Sequence, residues 1–432
     1  MTTLAWLSVA VFVIAYVLIA TEWVHRVAAA LGGAVVMFLI GATDAEHAFY
    51  SSHTGIDWDV LGLLAGMMIL VNVVQRTGLF EFLAISAAQR SKGKPYRVMV
   101  LLVLVTAVAS ALLDNVTTVL LLAPVTLSVT RQLGVPPAPF LIAEALASNI
   151  GGTATLVGDP PNIIVASRSG LTYLDFLTNL APLVVILVVV FLGLARWLFR
   201  HAFVYHPERA EEIRRLQPRE AITDRRLLVV SIVVLAVMTV AFMLHTMLRL
   251  EPSVIALIGG LVLLAWSRLD ADVIAAEVEW HSLAFFAGLF VMVGALVNTG
   301  AIEELARFTT EVTEGRLFVA SMGLLWLSGF FSAIVDNIPY VATMSPVVSG
   351  MVQAQGGSSA NVLWWALVLG ADLGGNATAV GASANVVTLG IAERHGHPIS
   401  FWEFTRYGLV VAVVTIAVSV PYLWLRYFVL AG

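Results

Sequence analysis

The sequence predicts an all-α polytopic membrane protein of two inverted repeats, each with five transmembrane helices, one of them discontinuous, and one re-entrant helical hairpin. Three observations carry that prediction. The 432 residues are 59% hydrophobic and only 12% charged, with a mean hydropathy of +0.93, whereas a soluble domain carries about 25% charged residues. The second half repeats the first in one register. Finally, two stretches rich in glycine, small residues and amides lie inside apolar regions at matching positions: 149–162 (NIGGTATLVGDPPN) and 372–385 (DLGGNATAVGASAN). Irregular backbone survives at membrane depth only where protein buries it or a cavity hydrates it. Paired interruptions in matching halves therefore point to a binding site.

Apolar runs near 3–21, 27–42, 59–76, 177–200, 227–247, 252–268, 280–298 and 405–430 read as spans, because crossing about 30 Å of hydrocarbon takes about 20 residues. The N-terminus, MTTLAWLSVAV, has no basic n-region and no clear cleavage site, so it reads as a first span rather than a signal peptide. Two longer regions, 97–131 and 317–352, are apolar on both sides of a polar dipeptide, Asp114-Asn115 and Asp336-Asn337. Each arm is about 24 Å long at about 1.5 Å per residue, short of a crossing, which predicts a re-entrant hairpin with the dipeptide at its tip. The regions 138–168 and 360–392 then read as spans broken in mid-membrane. The resulting division is a first repeat over 1–200, a cytoplasmic linker over 201–226 and a second repeat over 227–432.

The repeat is explicit. Trp58, Gly66, Thr77-Gly78, Glu81, Ala84, Ser110, Asp114-Asn115 and Pro124 recur 222 positions later as Trp280, Gly288, Thr299-Gly300, Glu303, Ala306, Ser332, Asp336-Asn337 and Pro346. One residue of slippage then pairs Gly151-Gly152, Ala154, Thr155, Gly158 and Asn162 with Gly374-Gly375, Ala377, Thr378, Gly381 and Asn385. Basic residues set the orientation. Arg90, Lys92, Lys94 and Arg97 precede the first hairpin, and Arg209, Arg214, Arg215, Arg219 and Arg225 lie in the linker. Both segments are expected in the cytoplasm. The loop 43–57, without Lys or Arg, and the acidic segment 301–316 (Glu303, Glu304, Glu311, Glu314) are expected outside. Five spans per half invert the second half and leave both termini external. The linker is charged without an apolar face and reads as a solvated connector.

Carboxylates at mid-membrane depth are costly unless paired or hydrated, which singles out Asp114 and Asp336. Each is followed by an amide, Asn115 or Asn337, and the pair makes an oxygen site for a hard cation or a proton. The bland alternative is that each Asp only caps a hairpin arm; the two roles are compatible. In the broken spans, Gly151-Gly152 and Gly374-Gly375 let the backbone unwind. Asn149, Thr153, Thr155, Asn162, Asn376, Thr378 and Asn385 supply side-chain donors and acceptors for a solute. Close packing of small residues is the competing explanation, but it does not account for the amides. The copies also differ: Asp159 matches Ala382, Asn149 matches Asp372, and Glu144 matches Leu367. Asp159 and Asp372 are the asymmetric coupling candidates. Glu144, about one turn outside the break, either joins them or pairs locally.

Whole classes of function drop out. The chain has no cysteine, hence no disulfide, thiolate metal site or cysteine nucleophile. It carries no Walker loop, no G-x-S-x-G and no H-E-x-x-H, so no catalytic residue, metal ligand or cofactor is expected. No Arg or Lys is placed in the membrane core; Arg76 and Arg168 sit near span ends. A site of carboxylates and amides favours cations, protons or neutral polyols over multiply charged anions.

The segments LLDNVTTVLLLAPVT at 112–126, NIGGTATLVGDPPN at 149–162, VDNIP at 335–339 and LGGNATAVGASANVV at 373–387 resemble the ion transporter superfamily. The resemblance is closer to its branch of arsenite-efflux permeases and the melanosomal P protein, and it runs over nearly the whole chain. It implies inverted repeats, with a substrate site between each hairpin tip and helix break. Asp-Asn at the tips departs from the serine-asparagine-threonine of the superfamily's dicarboxylate carriers. The function it implies is proton-coupled efflux of arsenite or antimonite by alternating access, with sodium–proton antiport, or an anion transporter or channel of the same superfamily, as the alternative. Without cysteine, arsenite would be recognised by hydrogen bonds and shape. The expected partners are the solute, protons and the lipid bilayer of the plasma (inner) membrane. A soluble ATPase subunit and a homodimer are compatible with the resemblance, though no residue marks either. Nucleic acid is not expected. Asp114→Asn and Asp336→Asn are each expected to impair ion coupling more than folding; unchanged gradient-driven uptake in vesicles of both variants would contradict the tip assignment.

Overall fold

The protein is described here by a computed structural model covering residues 1–21, 23–51, 54–209, 217–313 and 315–430. Arg214, Arg215 and Glu314 lie outside the described residues. The first half runs α1 (Thr3–Thr21), α2 (Arg26–Leu39), α3 (Ala45–Phe49), α4 (Trp58–Gln75), α5 (Leu79–Arg90), α6 (Pro95–Leu112), α7 (Asn115–Leu133), α8 (Ala138–Gly152), α9 (Pro160–Ser169), α10 (Tyr173–Asn179) and α11 (Ala181–Leu198). The second half runs α12 (Arg225–Leu248), α13 (Pro252–Ser267), α14 (Ala271–Glu277), α15 (Trp280–Asn298), α16 (Ala301–Val312), α17 (Leu317–Ile334), α18 (Asn337–Gln355), α19 (Val362–Gly374), α20 (Ser383–Arg394) and α21 (Phe401–Trp424). No strand occurs among the described residues. The architecture is the all-helical pair of inverted repeats that the sequence predicts.

Length alone misjudges several elements. Nine helices among the described residues are long and apolar enough to cross a bilayer, and they include both arms of the first hairpin, α6 and α7. The expected short arms are in fact 18 and 19 residues, because helix continues through Pro95–Arg97 and through Arg131–Leu133 beyond the apolar runs. What makes α6–α7 a hairpin is where its tip lands, not the length of its arms. Conversely, α2 and α13 have only 14 and 16 residues. The segments before the hairpins, to which the sequence assigns no span, form the helices α5 and α16. Each is entered through a left-handed glycine after the preceding span, Gly78 (φ 74°) and Gly300 (φ 77°), a conformation that costs glycine nothing.

The halves interlock through exchanged helices. α13 of the second half packs on α4 of the first, and α2 of the first packs on α15 of the second. Both crossings are made close by a glycine. A Cβ on Gly66 would stand 2.5 Å from the Ala256 carbonyl carbon, and one on the repeat-related Gly288 would stand 2.8 Å from that of Ala30. Near the centre, the returning arm of each hairpin packs on the far arm of the other half's broken helix, α7 on α20 and α18 on α9. The linker is less free than its charge implies. The Thr223 amide donates to the Thr77 carbonyl at 3.1 Å, its hydroxyl donates to the Arg76 carbonyl, and Arg76 pairs with Glu277 across the halves. These contacts put the Arg76 end of α4 and the α14 end of the second half on one membrane face. Gly66→Leu is expected to force α4 and α13 apart and cost about 1–3 kcal/mol, read as a lower thermal midpoint in detergent; an unchanged midpoint would mean the crossing is not close-packed.

Candidate substrate and ion site

Each broken helix is stitched by one asparagine. In the first half, α8 ends at Gly152 and α9 begins at Pro160, which suits a first helical position because it needs no N–H partner there. The Asn162 amide group donates to the carbonyls of Gly152 at 3.2 Å and Thr155 at 2.8 Å. The second half repeats this: Asn385 donates to Gly375 and Thr378, both at 2.8 Å. Thr155 and Thr378 hydroxyls bond the hairpins, donating to the carbonyls of Ala111 and Ala333, both at 2.6 Å. Ser110 and Ser332 do the same in the opposite direction, to the carbonyls of Ser148 and Ala371 at 2.6 Å. Gly151 and Gly374 lie so near α6 and α17 that a methyl group on either would overlap backbone. Hairpin and break in each half are thus one unit, with the carbonyls freed by helix interruption supplied with donors.

The tip carboxylates cap and face open space. Asp114 accepts from the Thr117 amide at 2.8 Å and from its hydroxyl. Asp336 accepts from the Ile338 amide at 3.0 Å and from the Ser383 hydroxyl at 2.6 Å. Both line a cavity of about 480 Å³ that runs between the tips, with largely apolar walls that include Met67, Phe285 and Phe286. At its mouth stand His25, Arg26 and Glu279. The Arg26 guanidinium carbon lies 5.8 Å from the Phe285 ring centroid. These residues do not stand out in the sequence, because a charge at the start of a span looks like an ordinary interfacial anchor. The signal was that α2 and α15 both open on charge, but only their packing together places it over a cavity.

Beneath the tips the two halves meet in a buried amide cluster. Asn115 donates to Asn149 Oδ1 at 3.0 Å and to Asp159 Oδ2 at 2.8 Å. Asn337, from the other tip, reaches Asp159 at 3.3 and 3.4 Å. Asn149 donates to Asn376 Oδ1 at 2.9 Å and to Asn385 Oδ1 at 3.1 Å. Asp159 therefore receives an amide from each hairpin. Asp372 contrasts with it. Thr153 is a polar neighbour of Asp372, but its hydroxyl donates to the Asn149 carbonyl at 2.8 Å. Neither Asp372 oxygen, both fully buried, has a hydrogen-bond partner. Asp159 lies within electrostatic reach of Asp372, Asp336 and Asp114.

The predicted residues thus separate by placement. Asn115, Asn149, Asp159, Asn337, Asn376 and Asn385 touch one another, with Asp372 and Thr153 beside them. Asn162, Thr155 and Thr378 are occupied by backbone, while Asp114 and Asp336 face the cavity. Glu144 stands apart, bonded to the Thr126 hydroxyl at 2.5 Å. Chemically, the cluster can hold a proton or hard cation on its carboxylates and hydrogen-bond a hydroxylated solute. Among the described residues no group of three or more His, Cys, Asp or Glu could hold a metal. Asn149→Ala is expected to strand the Asn376 and Asn385 oxygens and cost about 1–3 kcal/mol, lowering the thermal midpoint; no change would show that the cluster does not hold the halves together.

The family model for the CitMHS citrate transporter matches residues 16–370. A 46 kDa membrane protein of Mycobacterium leprae is 52% identical over 426 residues, 98% of this chain and 99% of that one. An uncharacterized transporter of Mycobacterium tuberculosis is 54% identical over 424 residues, with the same coverage of 98% and 99%. The P protein of Sus scrofa is 34% identical over 494 residues, 96% of this chain but 58% of that protein. Among solved structures, the YdaH transporter of Alcanivorax borkumensis has a TM-score of 0.58 at 16% identity, covering 92% of this chain and 90% of that one; the two share a fold. The chain is a membrane transporter and belongs to the CitMHS citrate transporter family.

Proposed function

We propose that the protein is a secondary active transporter that exports a small hydroxylated solute, arsenite or antimonite, in exchange for protons by alternating access. The observation that carries this reading is the unequal pair at the crossing of the breaks. Asp159 is held by amides from both hairpin tips, whereas neither oxygen of the buried Asp372 has a hydrogen-bond partner, the nearby Thr153 hydroxyl donating to the Asn149 carbonyl instead. A buried carboxylate without donors is tolerated when it carries a proton, so Asp372 is assigned the exchangeable proton and Asp159 the fixed charge. Arsenite near neutral pH is mainly an uncharged trihydroxide, which amides and carboxylates can bind without a counter-ion. With basic segments placed in the cytoplasm, the cavity opens inward, since its mouth lies on the face where Arg76 meets Glu277. Inverted repeats supply the outward-open counterpart at similar energy.

Oxygen-rich carboxylate sites also suit a sodium ion, and the Asp159 cluster favours sodium–proton exchange as a second reading. Citrate, the solute in the family's description, carries three carboxylates. Facing Asp114, Asp159, Asp336 and Asp372, it fits only when neutralised by a bound cation. Everted membrane vesicles with an acidic lumen discriminate among these. Arsenite accumulation that stops when a protonophore collapses the gradient is the expected result, and undiminished accumulation after collapse would contradict proton coupling. Sodium-dependent recovery of a pH gradient without arsenite selects the second reading, and gradient-driven citrate uptake selects the family's named solute.

A further inference from the structure

We infer that Glu144 is a proton-relay residue on a route separate from the solute cavity, so that protons leave the amide cluster without passing the solute. The inference rests on the proton-coupled reading above. Glu144 is buried in α8, and Oε1 accepts from the Thr126 hydroxyl of α7. Its other oxygen, Oε2, is buried without a hydrogen-bond partner, and so are the Thr118 hydroxyl and Asn115 Oδ1. Buried polar atoms without partners are rare and call for a specific explanation. Glu144 does not line the cavity between the tips. It lies five residues before Asn149, about 7.5 Å of helix rise, on the side away from the break.

The polar residues around it occur in one half only. Asn115, Thr118, Thr126 and Thr130 share a face of α7 at helical spacing, and Glu144 and Ser148 share a face of α8. The Asn115 position keeps its amide in the second half, as Asn337. The other five become Tyr340, Val348, Val352, Leu367 and Ala371. The same backbone frame thus folds there with Val348, Val352, Leu367 and Ala371 in place of Thr126, Thr130, Glu144 and Ser148, and with the Tyr340 hydroxyl paired to Ser328 at 3.0 Å, so Glu144 and its polar neighbours are not needed for folding. It begins at Asn115, which bonds Asp159, passes Thr118 and Glu144, and runs by Thr126 and Thr130 to the exposed Arg131 at the hairpin base. The charged groups on the packed elements are Arg131 of α7 and Asp114 at its N-cap, Arg97 of α6, Arg196 of α11, Asp372 of α19, Glu393 and Arg394 of α20, and Glu403 and Arg406 of α21. In the relay, the proton carried by Asp372 leaves its carboxyl, the Thr118 and Ser148 hydroxyls each accept one proton and give up their own, and Glu144 Oε2 takes it. Glu144 then releases it to water at the hairpin base. No electron transfer or covalent change accompanies the step.

Two modes of transport in reconstituted vesicles test this. Solute-for-solute exchange needs no net proton movement, whereas uphill accumulation does. In Glu144→Gln, exchange is expected to stay within about twofold of the parent while gradient-driven accumulation falls about 100-fold, the scale of losing a positioned proton-transfer group. Glu144→Asp should restore part of the accumulation. The double variant E144L/T126V copies the second half's seam, so it should fold, exchange and remain uncoupled. Full accumulation in Glu144→Gln would overturn the relay. Loss of exchange together with accumulation in folded E144L/T126V would place Glu144 in the solute site and overturn the separate route. A parent protein whose accumulation ignores the gradient would instead overturn the proton-coupled reading on which the relay rests.

Discussion

A peptide group at membrane depth has no water to turn to, and that constraint shapes the centre of this protein. Interrupting α8 and α19 frees carbonyls that lipid cannot satisfy. Asn162 and Asn385 each return an amide to two of those carbonyls, across ten and seven residues of chain. Thr155 and Thr378 then fasten each loop to its hairpin. The breaks are therefore stable structures with a fixed shape. Their interior side chains, Asn149, Asn376 and Asp159, can point at one another because the backbone beneath them makes no further demand.

Duplication explains the frame, and the departures from duplication place the chemistry. Bonds that hold hairpin to break occur twice with nearly equal lengths. The groups that break the pattern, Asp159 for Ala382, Asp372 for Asn149 and Glu144 for Leu367, are all acidic and all buried. In the proposed exchange, a two-fold scaffold with one-sided carboxylates supplies two nearly equivalent conformations whose energies depend on protonation. That is what an exchanger needs and what a symmetric pore would lack. The mouth of the cavity adds another asymmetry: Arg26 lies within electrostatic reach of Asp336, and Glu279 within reach of Asp114.

Much of this was legible in the sequence because it rests on local chemistry repeated at a fixed offset. The DN tips and the GG…G…N breaks declared themselves twice. Other features were not legible because they depend on contacts between distant segments. Hairpin arm lengths misled, since helix propensity carries α6 and α7 past the apolar run into charged turns. The exchange of α2 and α13 between halves leaves only Gly66 and Gly288 as a trace. Asn162 and Asn385 read as solute ligands by composition, yet their amide groups are committed to backbone, which no pattern of residue types discloses. Arg26 goes unnoticed in sequence because only its packing beside α15 sets it over the cavity.

Under the proposed mechanism, solute and proton compete at the buried Asp159–Asp372 pair. Purified protein in weakly buffered detergent gives the direct measurement, as proton release on addition of arsenite. Release in fixed proportion to the arsenite bound, abolished in Asp372→Asn with binding retained, is the expected result. Arsenite binding without proton release in the parent protein would contradict it.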